Sequence, residues 1–281
     1  MHKLSRRVRF SINPFPSTRL RAGLSEEIQG ANSFASKPAG EGLSIFLELS
    51  VELAGNVEPT TGFVVNVTDI DKNVLRFVVP IFAERIRADF QQRKHIRLFA
   101  IAELLRSAWG QLADKFGPAR LSKLSLKLNP FREVTIDCED FKMIYFSEKF
   151  EFAATHKLWN DEFSQQHNFK VFGKCANPNG HGHNYVVEVT IKKSLDPARD
   201  GPIGKNDFCI GDFEKTVDDE LIKLIDHKNL NVDIAEFGRT NPTVENIAAF
   251  AWKKLTDKFI DASLYCVRIW ETDRTCCSYY G

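Results

Sequence analysis

Two nearly identical helix ends, AWGQLADKF at 108–116 and AWKKLTDKF at 251–259, stand one in each half of this 281-residue chain. Each is followed within a few residues by a segment that opens on Leu and reads as a strand. A chance likeness of two amphipathic helices would leave the surrounding elements unrelated. Here the order of elements around them also matches, so an internal duplication is the better reading. The length suits two domains of about 140 residues each. The boundary is expected near Cys138, giving modules 1–139 and 140–281.

The second half is read as follows. MIYFSEKFEFAATHKL alternates, with Phe150, Phe152, Ala154 and His156 on one face of a strand. A Gly/Asn-rich loop leads to HGHNYVVEVTI, where Tyr185, Val187, Val189 and Ile191 alternate with polar residues. DPARDGPIGKND is expected to turn and FCIGDF to return as a short strand. Val217, Leu221, Leu224 and Ile225 then mark an amphipathic helix, and Thr243 can cap a second one over VENIAAFAWKKLTDKF. LYCVRIWET and CCSYY close the unit as strands. In the first half, RRVRFSI reads as a strand, and GLSIFLELSVELAG with GFVVNV as a hairpin. TDIDKNVLRFVVPIFAERI and RLFAIAELLRSAWGQLADKF read as helices, LSKLSLKL and REVTID as strands. Both halves follow the order strand, strand, helix, helix, strand, strand, an α+β arrangement.

Composition narrows the function classes. Net charge is +1, so no whole-chain field favours nucleic acid or a membrane surface. No window approaches the roughly 18 apolar residues of a membrane span. MHKLSRRVRF is basic but lacks the apolar run of a secretory signal. Cys138, Cys175, Cys209, Cys266, Cys276 and Cys277 show no framework spacing. Free thiols in a reducing compartment, the cytoplasm, are expected.

The chemistry concentrates in FGKCANPNGHGHNY. His181 and His183 are two apart on a strand, so both imidazoles project from one face, and a hairpin would bring His156 alongside. Three neutral imidazoles with an open fourth position describe a catalytic zinc site; three unrelated histidines are the plainer alternative. Cys175, in the preceding loop, could be a fourth ligand or a thiolate base, the latter needing a lowered pKa. Asp226 and His227, where a helix ends, could be an acid–base pair or a surface turn. Glu271, near the end of an apolar strand, is either exposed or bound to a ligand's donors.

Together KCANPNGHGHNYVVEVTI, LIDHKNLNVDI, PTVENIA and WETD resemble the 6-pyruvoyl-tetrahydropterin synthase family, over most of residues 143–281. The resemblance implies a tunnelling fold (T-fold), whose modules are four-stranded antiparallel sheets with two helices on one face. It implies zinc on His156, His181 and His183, a catalytic Cys175, and a catalytic Asp226–His227 pair. Glu271 is then the pterin anchor, with Thr243 and Glu245 lining the same end of the pocket. The implied activity converts 7,8-dihydroneopterin triphosphate to 6-pyruvoyl-tetrahydropterin and triphosphate. A sister activity, 6-carboxy-tetrahydropterin synthase of queuosine biosynthesis, competes. Its branch has a shorter Cys-to-His spacing than the five residues between Cys175 and His181, although the ETDRTCCSYYG end resembles it. A non-catalytic pterin-binding protein would not need Cys175, Asp226 and His227, and a zinc-stabilised scaffold is the weakest alternative. The first half resembles the module in scaffold only: Pro14, Glu41 and Leu43 occupy the places of the three histidines. The family's rings of three modules, stacked in pairs, imply a homotrimer of two-module chains, with neither nucleic acid nor membrane as partner.

Overall fold

The computed structural model describes residues 1–15, 44–195 and 208–281. Glu41, Leu43 and the expected turn at 196–207 lie outside the described residues. Two compact units emerge, one from residues 1–146 with 194 and 195, the other from 147–193 and 208–281. Among the described residues no helix is long and apolar enough to cross a membrane.

In the first unit, strands β1 (His2–Ile12), β2 (Ile45–Gly55), β3 (Arg120–Lys127) and β4 (Arg132–Asp137) pair antiparallel in that order. Alternation puts Val8, Phe10, Leu49, Val51, Leu124 and Ile136 in the core, as period-two strands with one covered face require. The covering helices are α1 (Val67–Asn73), α2 (Val79–Gln91) and α3 (Leu98–Leu112). Between α1 and α2 lies one π turn, Val74–Val78. Its cause is legible in the buried residues Ile70, Val74, Val78, Phe82 and Ile86, which repeat every fourth position. In an α-helix each step of four over-rotates by about 40°, so this stripe would wind off the sheet. A local widening of the turn keeps it aligned.

The second unit repeats the device. Strands β5 (Met143–His156) and β6 (His181–Ser194) are sheet neighbours. Helix α4 (Gln165–Phe172) lies between them in the chain. Helix α5 (Ile210–Val217), a π turn Asp218–Ile222 and α6 (Lys223–Ile225) follow. Phe213, Val217, Leu221 and Ile225, again four apart, are buried. Next come the two-residue β7 (Lys228–Asn229), α7 (Leu230–Asp233), α8 (Val244–Leu255), β8 (Ser263–Thr272) and β9 (Thr275–Tyr279). The sequence repeat is also a structural one. Helices α3 and α8 end on Leu112 and Leu255, the fifth residue of each copy, and the closing Phe116 and Phe259 are both buried.

Three expectations are corrected. FCIGDF is not a returning strand: the chain is helical from Ile210, because Phe213 belongs to the four-residue stripe. GFVVNV is not a strand of a hairpin with β2, whose partners are β1 and β3. Its Asn66 caps α1, the side chain accepting from Thr68 N at 3.0 Å. The loop after β5 contains α4, capped by Ser164, whose Oγ accepts from His167 N.

Candidate metal and acid–base site

His156 ends β5, and His181 and His183 begin β6, one strand over. The turn that returns the chain closes on Gly180, at φ +71°, where a Cβ would stand 2.9 Å from the His156 carbonyl oxygen. Only glycine meets both conditions without strain. The ligand nitrogens of the three histidines all lie within 4.8 Å of one another, the one such cluster among the described residues. His156 is buried, and its Nδ1–H donates to Pro242 O at 2.7 Å, since a carbonyl can only accept. That bond fixes the tautomer and leaves a lone pair on Nε2, 3.0 Å from His181 Nε2. Burial first, then the neighbouring imidazoles, hold His156 below the ordinary imidazole value, and His181 is lowered by burial and His183. His181 Nδ1 and His183 Nε2 are buried without a hydrogen-bond partner. Clustered imidazoles with orphaned nitrogens are costly as plain core and fit a metal ion.

The backbone around His156 is held by asparagine amides, a feature that the motifs did not suggest. Asn231 accepts from Lys157 N and donates to Lys157 O, at 2.7 and 2.9 Å. Asn241 accepts from Trp159 N, and Asn246 in turn donates to Asn241 O. Fully buried Asn168 accepts from Asn160 N and donates to Asn160 O and Phe163 O. The available signal is the run of asparagines in DHKNLNV and TNPTVEN.

Asp226 and His227 are brought together on the edge of β5. Asp226 Oδ1 accepts from Ala153 N at 2.9 Å, and His227 N donates back to Ala153 O at 2.6 Å. His227 adopts φ +56°, an uncommon conformation for a non-glycine residue that this two-point clip sustains. Asp226 Oδ2 stands 2.8 Å from His227 Nδ1. The carboxyl is held below its ordinary value by the Ala153 N–H and then by His227. His227 and His183 both line an open cleft of about 450 Å³, with Thr155, Lys228 and Asn229.

Cys175 lies in the turn Gly173–Ala176, half-buried, its carbonyl accepting from Leu158 N. Its sulfur is not in the cluster of close ligand atoms, and burial followed by the Glu271 carboxylate pushes its thiol up. All six cysteines are free thiols. Thr243 caps α8 beside Pro242, and Glu245 is exposed in the first turn of that helix. Glu271 sits where the β8–β9 register shifts, and its Oε1 reaches 3.4 Å from His156 Nε2 and 3.5 Å from His183 Nε2. A bulge of this kind re-aims a side chain. Buried Tyr185, with its hydroxyl 3.4 Å from His156 Nδ1, completes the surroundings.

An α+β unit carrying three clustered imidazoles that could hold a metal ion, with a carboxylate–imidazole pair on the same unit, has the side chains of a metal-dependent enzyme's site. The family model for 6-pyruvoyl tetrahydropterin synthase matches residues 145–281. The 6-pyruvoyl tetrahydrobiopterin synthases of Homo sapiens and Pongo abelii are each 38% identical to this chain over 135 residues, 48% of this chain and 90% of theirs. That of Drosophila melanogaster is 35% identical over 138 residues, 49% of this chain and 79% of its own. The solved structure of the Caenorhabditis elegans 6-pyruvoyl tetrahydropterin synthase aligns with a TM-score of 0.44 and 32% identity, over 50% of this chain and 96% of that one. The chain belongs to the 6-pyruvoyl tetrahydropterin synthase family. The match falls on its second half, where every candidate site residue stands.

Proposed function

We propose that the chain is a zinc-dependent lyase that converts 7,8-dihydroneopterin triphosphate to 6-pyruvoyl-tetrahydropterin with release of triphosphate. The observation that carries this reading is that, in the family-matched half, His183 of the three-imidazole cluster and His227 of the Asp226–His227 pair line one cleft. The reaction is an elimination with internal proton rearrangement and needs no external oxidant. Zinc held by His156, His181 and His183 would polarise the substrate's side-chain hydroxyls and stabilise negative charge developing on oxygen. Cys175 Sγ takes a proton from a side-chain carbon. Because burial and Glu271 raise its thiol, the thiolate depends on positive charge in the neighbouring site. His227 exchanges a proton at Nε2, its Nδ1–H held by Asp226. Glu271 accepts from the pterin's ring N–H and amino groups, with Thr243 and Glu245 at the same end. The free thiols fit a cytoplasmic setting.

Incubating the purified zinc-loaded chain with 7,8-dihydroneopterin triphosphate and identifying products by mass spectrometry tests the reading. Equimolar triphosphate and the pyruvoyl pterin are expected. The carboxy pterin would transfer the protein to the sister activity, and binding without turnover would make it a pterin-binding protein.

A further inference from the structure

The reaction proposed above releases a triphosphate, and no side chain assigned so far would hold that anion. The cleft lined by His183 and His227 has a volume of about 450 Å³, within the range of small-molecule sites. Its described lining includes no carboxylate. The neighbouring Asp226 is already engaged, by Ala153 N and His227 Nδ1. Among the described residues of the lining, Lys228 supplies the one ammonium, exposed and in no ion pair with a described residue. Thr155 and Asn184 are exposed in the same lining, and neither side chain hydrogen-bonds to a described residue. A cation and two neutral donors that face no negative charge have the composition of a phosphate site.

We infer that Lys228 binds the triphosphate group of the substrate, with Thr155 and Asn184 donating to the same oxygens. The backbone under Lys228 is well fixed for this. It follows directly on the Asp226–His227 clip to Ala153, and it pairs with Ala154 in the parallel β7–β5 ladder. Two other lysines of this unit are less suited. The Lys157 ammonium lies 5.2 Å from the centre of the Trp159 ring, and Lys174, beside Cys175, does not line the cleft. When the carbon–oxygen bond breaks, its electron pair stays on the triphosphate oxygen, and the proton lost from the side-chain carbon passes to Cys175. The Lys228 ammonium offsets the charge gained by the leaving group and exchanges no proton itself. The inference rests on the substrate reading above, because only a phosphorylated ligand needs such a site.

The test titrates the full zinc-loaded chain by calorimetry with two probes. One is inorganic triphosphate in excess magnesium, which keeps it from drawing off the zinc. The other is 7,8-dihydroneopterin, which has the pterin and side chain but no phosphate. Lys228→Gln is expected to weaken triphosphate binding by about tenfold or more, the usual effect of losing a charged hydrogen-bond donor. Dihydroneopterin binding should be unchanged, and Lys228→Arg should restore most of the triphosphate affinity. Added salt should weaken triphosphate binding more in the wild type than in Lys228→Gln. Unchanged triphosphate affinity in Lys228→Gln would overturn the inference. So would an equal loss for both probes, which would mark Lys228 as structural. If turnover of dihydroneopterin triphosphate is absent while triphosphate binding depends on Lys228, the proposed reaction fails and the anion site stands. If turnover is present with a KM that Lys228→Gln leaves unaltered, the reaction stands and this inference fails.

Discussion

One hydrogen bond decides what the His156 ring can do: by giving its proton to Pro242 O, Nδ1 leaves Nε2 as a ligand. The imidazoles hold the cluster without help from Cys175. Cys175→Ala is therefore expected to abolish turnover while zinc content per chain is unchanged; zinc lost along with activity would make Cys175 a ligand. Asp226 carries a pH prediction. Its folded pKa is depressed, so its stabilisation is complete above the unfolded value of about 3.9 and fades as pH falls through the folded value. Asp226→Asn should lower the urea midpoint near neutrality and flatten its decline toward about pH 3. It should also slow turnover with little effect on binding, and an unaltered pH–rate profile would mark the pair as structural. The sequence could nominate these residues because strand parity and adjacency are local. It could not show that Pro242 supplies a carbonyl to His156, or that a register shift turns Glu271 toward the imidazoles, because both depend on distant chain segments meeting.

At the scale of elements, legibility followed the length of the pattern. The strands that carry the histidines and the helix ending in AWKKLTDKF announce themselves over ten residues or more. FCIGDF was too short to distinguish two periods, and only its place in the Phe213, Val217, Leu221, Ile225 stripe makes it helical. Eight-residue α4 is mostly polar, so nothing but the Ser164 cap separates it from loop. The same four-residue spacing in both halves accounts for a π turn in each, a shared irregularity that supports the duplication more strongly than a shared regular helix would. The turn into β6 is the element on which the metal cluster hinges. Gly180→Ala would place a methyl 2.9 Å from the His156 carbonyl at a positive φ, so either the turn or the end of β5 must move. We expect a loss of about 1–3 kcal/mol in urea unfolding. Zinc affinity should fall with it, because His156 and His181 flank the strained contact. A variant with wild-type stability and zinc content would mean that the turn is not what sets the spacing.

For the whole molecule, the sheet edges pose the physical problem. Among the described residues β1 pairs only with β2, and β9 only with β8, so each leaves a row of backbone donors and acceptors unpaired. Such edges are liabilities unless charged, covered or joined to another strand. On β1, Arg6 and Arg9 are engaged with Asp71 and Glu48, within their own unit. Joining to another copy is one solution for an eleven-residue edge, and closed symmetric assembly is a usual way to finish it. We propose three copies of the two-module chain, six modules in all, as that assembly. The expected species is a trimer of 32.0 kDa chains, about 96 kDa. Metal should be present once per chain, because the only clustered ligand set among the described residues is His156, His181 and His183. In the first half Pro14 follows β1 where the module would need an imidazole, and proline has none to offer. Light scattering combined with metal analysis reads both quantities on one sample. A stable 32.0 kDa monomer would show that the edges are tolerated and remove the case for ring closure. Two zinc ions per chain would show that the first half has a site of its own, and its role would then be catalytic or structural in its own right rather than that of a scaffold for the second.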